Sequence, residues 1–242
     1  IAHQLGKHGF KYVGVPKTID NDLESTDISF GFDSAVSTAV DALDKLKTTA
    51  ESHKRIMILE VMGRNAGWIA LYAGMAGGAH AILIPEIPYS VEALISKIDH
   101  RTQVEERNYT LIVVAEGAVQ ENSGTETSSE SIHDRKHSGA GARLREVLEP
   151  HIDNHEIRVT VLGHLQRGGS PTPRDRILAT RYGVHAVECI HDGLFNHMVS
   201  LKNERITHVP MDDAAGVQRL VPMDHPMIHS ARAMGVSFGN EN

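Results

Sequence analysis

Four stretches of the chain place carboxylates, hydroxyls and cations directly after apolar runs. YVGV leads into Pro16-Lys17-Thr18-Ile19-Asp20-Asn21-Asp22, and ILEV leads into Met62-Gly63-Arg64-Asn65-Ala66-Gly67. LIVVA leads into Glu116-Gly117, and VTVLG leads into His164-Leu165-Gln166-Arg167-Gly168-Gly169. A glycine beside a cation lets backbone N–H groups and a guanidinium approach one anion. A helix N-terminus that follows adds favourable potential. One of the two aspartates can accept the proton of an attacking hydroxyl. The glutamate and histidine can bond sugar hydroxyls, and the arginines can hold phosphate. The set suits a phosphorylated polyol. The residue types alone reach an anionic small-molecule site in an α/β protein.

The elements that position these residues alternate. YVGV (12–15), RIMILEV (55–61), AHAILIP (79–85), YTLIVVAEG (109–117) and RVTVLGHL (158–165) read as strands. Near-continuous apolar runs suit a parallel sheet buried on both faces. Between them, Ala35, Val36, Ala39, Val40, Leu43 and Leu46 give a helical stripe within about 32–50. Further helices are expected over 66–76, from Val91 with Ser90 as cap, and from Ser138 to 149 with Pro150 as stop. SPTPRDRILATRYGVHAVECIHDG reads as a proline-started, glycine-stopped helix. MVSLKNERITHVP reads as a hairpin around Asn203-Glu204. The polar segment 119–138 reads as a mobile surface loop. Strands alternating with helices predict a doubly wound α/β architecture, whose ligands sit beyond the carboxyl ends of the strands.

Composition narrows the function classes. The chain has 242 residues, 24 Lys and Arg, 31 Asp and Glu, and a net charge of −7, which disfavours nucleic-acid binding through the overall field. Cys189 is the only cysteine, so no intramolecular disulfide forms, and a reducing, cytoplasmic setting is expected. No run reaches membrane-spanning length. P-loop and G-x-G-x-x-G fingerprints are absent. His151 and His155 lie four apart without the glutamate of a zinc-protease helix, and no metal ligand set is assigned on that pair. Ile1 is not an initiator methionine and IAHQL reads as the end of a helix, so the chain is expected to be cut from a larger protein.

PKTIDND (16–22), GFDSA (31–35), EVMGRNAGWIAL (60–71), ILIPE (82–86), VAEG (114–117) and VLGHLQRGGSPTPRDR (161–176) together resemble the phosphofructokinase family, in family order. The resemblance implies an α/β protein of two Rossmann-like lobes with mainly parallel sheets, lacking the amino-terminal third that holds most of the phosphoryl-donor site. Residues 1–31 and 166–216 are expected in the first, donor-side lobe. Residues 32–165 and 217–242 are expected in the second, sugar-phosphate-binding lobe, with the sugar in the cleft between them.

The implied reaction is phosphoryl transfer from ATP or pyrophosphate to the 1-hydroxyl of fructose 6-phosphate, with Mg2+, as in glycolysis. The resemblance gives Asp20 the role of general base. It sets Thr18 and Asp22 beside the transferring group, with Asp22 near the metal-bound phosphate. Met62, Gly63 and Arg64 form a sugar-phosphate segment, with Arg64 at the transition-state charge. Glu116 bonds sugar hydroxyls, and His164 and Arg167 bind the 6-phosphate end. Arg55 and Arg158 match arginines that cross a subunit interface, which implies a homodimer or homotetramer. Lys17 stands where donor choice is made, and the resemblance to a mixed ATP and pyrophosphate subgroup leaves both donors open. His80 replaces a glutamate of allosteric bacterial enzymes, so a weak or absent effector response is expected. The chain alone is expected to be inactive. The rival readings are a non-catalytic sugar-phosphate-binding subunit and a kinase for another phosphosugar such as sedoheptulose 7-phosphate.

Overall fold

A computed structural model describes residues 2–121 and 139–241. The chain forms two compact units, Ile1–Ala35 with Gly169–Arg219, and Val36–Gly168 with Leu220–Asn242. The larger part of the second unit, 36–168, is thus inserted into the first, and the tail from Leu220 returns to this inserted unit. Both are built from helices and mainly parallel sheets, an α/β fold.

In the inserted unit, β4 (Ile56–Val61), β5 (Ala81–Leu83), β6 (Thr110–Ala115) and β7 (Ile157–Val161) form one sheet in the order β5-β6-β4-β7, every pair parallel. Every residue of β4 and β6 is buried. Ile56 and Ile58 of β4 and Ile112 and Val114 of β6 pack with Leu94 and Ile98 of α4 (Val91–Gln103) and with Leu144 and Leu148 of α5 (Ala140–Leu148). Met57 and Leu111 pack instead with Ala50 of α2 (Phe32–His53). Alternate residues of the same strand therefore serve two helical layers, which is why the runs carry no polar alternation.

In the other unit, β1 (Val13–Gly14), β8 (His197–Lys202) and β9 (Arg205–Pro210) form a three-stranded sheet, parallel between β1 and β8 and antiparallel between β8 and β9. The hairpin turns at Asn203 and Glu204, whose φ values of 49° and 64° are those of a type I′ turn. The short strands β2 (Lys17–Thr18) and β3 (Phe30–Gly31) pair in parallel. Helix α6 (Pro173–His191) begins with Thr172 accepting the Asp175 N–H at 3.3 Å, and Gly193 follows its end at φ 74°. The amino end of α2 meets that of α6. Asp175 Oδ2 accepts the N–H and hydroxyl of Ser34 at 2.8 and 2.5 Å, and the Thr172 hydroxyl donates to Asp33 at 2.6 Å.

Several expectations hold and several shift. Ser90 caps α4, its Oγ accepting the Ala93 N–H at 3.2 Å. The helix expected over 66–76 is α3, Trp68–Ala76, because Ala66 N–H closes a tight turn on the Gly63 carbonyl at 3.1 Å. The strand expected over 158–165 ends at Val161, since Leu165 N–H bonds the Leu162 carbonyl and the chain enters a 3-10 turn over Gly163–Arg167. YVGV pairs only at Val13 and Gly14. Within the expected loop 119–138, residues 122–138 lie outside the described residues, as does the expected helix start at Ser138. Val119 and Glu121 are tied by backbone hydrogen bonds of 3.0 and 2.7 Å to Tyr89. Among the described residues, no helix is long and apolar enough to cross a membrane.

Candidate active site

The carboxyl ends of β4, β6 and β7 lie side by side, because β4 pairs with both of the others. Brought together there are Met62-Gly63-Arg64, Glu116-Gly117 and the turn carrying His164 and Arg167. The loop after β4 is held from both neighbours. Met62 N–H donates to Oε1 of the buried Gln166 at 2.7 Å. Gly63 and Arg64 N–H both donate to Glu116 Oε1, at 3.2 and 2.7 Å. Arg64 has a left-handed backbone, φ 54°, and Gly63 a φ of 143° that a side chain adopts only under strain. A Cβ on Gly63 would lie 2.7 Å from the Ala66 carbonyl, and one on Gly117 would meet the Arg64 carbonyl. Gly63 therefore lets the loop after β4 close tightly on itself, and Gly117 lets that loop touch the one after β6 backbone to backbone.

Arg64 and Glu116 line an open cavity of about 420 Å3 together with Glu60, Asn65, Gly117, Gly139, Ala140 and Arg143. That volume lies in the range of small-molecule sites. Arg64 and Arg143 give it two guanidinium groups. Glu60, buried at the end of β4, accepts the Gly141 N–H at 2.8 Å and so anchors the first turn of α5, which carries Arg143. His164 and Arg167 are exposed and do not line this cavity. Arg167 reaches the loop instead, with Nε 3.5 Å from Met62 Sδ. Arg143, Glu60 and Gln166 are absent from the residues singled out in the sequence. Gln166 sits inside a quoted motif, but its role depends on a partner 104 positions away. Arg143 offers no local signal beyond a cation in the first turns of a helix.

Arg55 and Arg158 lie elsewhere. They stand near the amino ends of β4 and β7, and both bind Glu156, Arg55 through Nε at 2.6 Å and Arg158 through a terminal nitrogen. These two guanidinium groups, with Arg55 the stronger influence, hold the Glu156 carboxyl below its usual range.

The PKTIDND segment belongs to the other unit. Thr18, in β2, donates its hydroxyl to Asp20 Oδ2 at 3.3 Å and accepts the Asp20 N–H at 3.2 Å. Asp20 is 7% exposed. Asn21, left-handed at φ 55°, accepts the Ser29 N–H at 3.0 Å, and the Ser29 hydroxyl donates to the Thr18 carbonyl at 2.8 Å. These contacts fix the turn after β2, so Asp20 is presented by rigid backbone. Asp22 is half-buried and accepts from the Gln218 amide at 3.0 Å, while Lys17 is exposed.

The family model described as phosphofructokinase matches residues 1–190. The chain is 50% identical over 226 residues to an ATP-dependent 6-phosphofructokinase of Corynebacterium efficiens, covering 92% of this chain and 65% of that protein. It is 48% identical over 237 residues to a pyrophosphate–fructose 6-phosphate 1-phosphotransferase of Streptomyces coelicolor, covering 96% and 67%. The solved pyrophosphate-dependent phosphofructokinase of Marinobacter aquaeolei superposes with a TM-score of 0.73 at 26% identity, over 98% of this chain and 59% of that one. The chain thus spans about two thirds of the length of these curated relatives. The strand-end loops held by Glu116 and Gln166, the Thr18–Asp20 turn and a match over most of the residues agree: the chain belongs to the phosphofructokinase family.

Proposed function

We propose that this chain supplies the acceptor-sugar and proton-accepting parts of a 6-phosphofructokinase, which transfers a phosphoryl group from ATP or pyrophosphate to the 1-hydroxyl of fructose 6-phosphate. The observation that carries the reading is the cavity in which the clamped loop after β4 presents Arg64 beside Arg143 and Glu116. Two guanidinium groups suit a phosphate or a transferring phosphoryl group. The names of the relatives support the same substrate and both donors.

In this mechanism Asp20 accepts the proton of the 1-hydroxyl, late in transfer, when the alcohol has become acidic. Thr18 orients the carboxylate through its hydroxyl. Phosphoryl transfer passes through a loose transition state, so positioning and charge neutralisation supply the catalysis. Arg64 offers charge to that state. Met62 and Gly63 shape the sugar-phosphate segment, and His164 and Arg167 take the 6-phosphate end. Asp22, whose carboxylate accepts from the Gln218 amide, stands near the metal-bound phosphate, where Mg2+ would neutralise charge on the donor phosphates. Arg55 and Arg158, away from the carboxyl-end cavity, serve a neighbouring subunit of a homodimer or homotetramer. The setting is glycolysis in the cytoplasm. The chain alone, about two thirds the length of its relatives, carries no turnover.

The test is a coupled assay for fructose 1,6-bisphosphate with Mg2+ and either ATP or pyrophosphate. It is run on this chain and on a longer form that reaches the length of the relatives. Turnover by the longer form supports the reading. Binding of fructose 6-phosphate without turnover by either donor overturns it in favour of a non-catalytic binding subunit. A higher kcat/KM with sedoheptulose 7-phosphate reassigns the acceptor.

A further inference from the structure

We propose that His185, Cys189 and His208 form a binding site for one zinc-class divalent ion, which ties helix α6 to strand β9. His185 and Cys189 are four apart on α6 and so share a face. His208 reaches them from β9, and one ligand atom from each of the three lies within 4.8 Å of the other two. His185 Nε2 and His208 Nδ1 are 3.3 Å apart. With metal–nitrogen bonds of about 2.0–2.1 Å, two ring nitrogens of a tetrahedral site are separated by about 3.3 Å. The sulfur-to-nitrogen edge of such a site is about 3.5 Å, so side-chain shifts of about an ångström bring Cys189 into place.

The surroundings favour an ion. His185 Nδ1 lies 2.9 Å from Glu188 Oε2, so the N–H donates to that carboxylate and Nε2 keeps its lone pair toward His208. A carboxylate behind a ligating imidazole fixes the tautomer and strengthens the ligand. The His197 ring stands edge-on to His208 at 5.4 Å, and its own Nδ1–H donates to the Phe195 carbonyl at 2.8 Å. The three ligands open onto a cavity of about 370 Å3 that Glu188 and Asp192 also line, which leaves room for a water as fourth ligand. The Glu188 and Asp192 carboxylates at the cavity attract a dication. Nitrogen and sulfur donors select a zinc-class ion over Mg2+.

Chance pairing of histidines is the competing account, since the chain has 16. In that account His185 and His208 share a proton across their 3.3 Å contact and Cys189 is inert packing. The sulfur separates the two. Cobalt(II) titrated into the apo chain is expected to give one equivalent of a near-ultraviolet thiolate-to-metal band, bleached by zinc, and zinc is expected to raise the melting temperature. Cys189→Ser abolishes the band, and His208→Ala lowers affinity at least as far. Glu188→Gln weakens binding by about 10–100-fold, as outer-shell partners of ligating histidines do. His229→Ala, at an exposed histidine that does not line this cavity, changes nothing. Circular dichroism of each variant separates lost binding from lost folding, and Cys189→Ser, the smallest change, decides if His208→Ala unfolds. Absence of the band, or zinc affinity equal in wild type and Cys189→Ser, overturns the site.

Discussion

Glu116 Oε1 accepts the backbone N–H of Arg64 at 2.7 Å, so a side chain at the end of one strand sets the loop at the end of the next. The same oxygen takes the Gly63 N–H. Replacing Glu116 by Ala leaves two N–H groups of a strained loop without this acceptor. A cost of about 1–3 kcal/mol in urea unfolding is expected. Glu116→Gln keeps an acceptor oxygen and is expected to lose less than half of that. If both variants unfold alike, the charge and not the hydrogen-bond geometry holds the loop.

Asp20 is expected to govern rate rather than affinity. In the longer form, Asp20→Asn should lower kcat by about 10²–10⁴ with KM for fructose 6-phosphate little changed. Thr18→Val, which removes the hydroxyl that contacts Asp20, should lower kcat by less. Arg167→Ala should act mainly on KM. Steady-state kinetics with the reverse pattern would exchange these roles.

Lys17 is exposed beside the Thr18–Asp20 turn. If it selects the donor, Lys17→Gly should lower kcat/KM for pyrophosphate and spare or raise that for ATP. Equal loss for both donors would make Lys17 a general phosphate contact.

His80 gives the inserted unit an acid sensitivity. Its Nδ1 accepts the Leu111 N–H at 2.9 Å, and burial, followed by the charges of Arg101, Lys97 and Lys47, lowers its pKa from 6.5 to about 3. The neutral ring is the folded form. Below pH 6.5 the unfolded chain takes up a proton that the folded chain refuses. This contribution to stability is therefore complete above pH 6.5 and is lost as pH falls toward 3, by at most about 1.4 kcal/mol per pH unit. His80→Asn, whose amide oxygen can still accept from Leu111, should flatten denaturation midpoints over that window. An unchanged slope would assign the acid loss to other groups.

The fold was most legible where burial is uniform. β4 and β6 are buried throughout, and apolar except at Glu60 and Thr110, because helices cover both faces; Ser90 announces its helix through local capping chemistry, and a proline opens α6. Asn203-Glu204 marks the hairpin as a polar centre between apolar runs, and in the structure both residues adopt the left-handed backbone that its turn needs. β2 and β3 escaped notice, since each is two residues long and its partner lies across a turn-rich segment. Helix α8 (Pro226–Ala233) carries a local signal in the proline that opens it, with His225 as its cap. In the site, the motif residues could be named, but their partners could not. Glu116 reads as a lone carboxylate until β6 is set beside β4, and Arg143 gains meaning only when α5 is placed over Glu60.

The mutual capping of α2 and α6 also imposes an order on synthesis. Ser34 and Asp33 bond residues 141 and 139 positions further along the chain. As the polypeptide leaves the ribosome, the inserted unit emerges almost whole before Thr172 and Asp175 exist to meet them. The two stretches of the outer unit can meet only after residues 36–168 have been made, so the first of them waits with its helix end uncapped. Contacts of such separation form slowly, and that interval is when this chain is most open to misassociation and most dependent on chaperones.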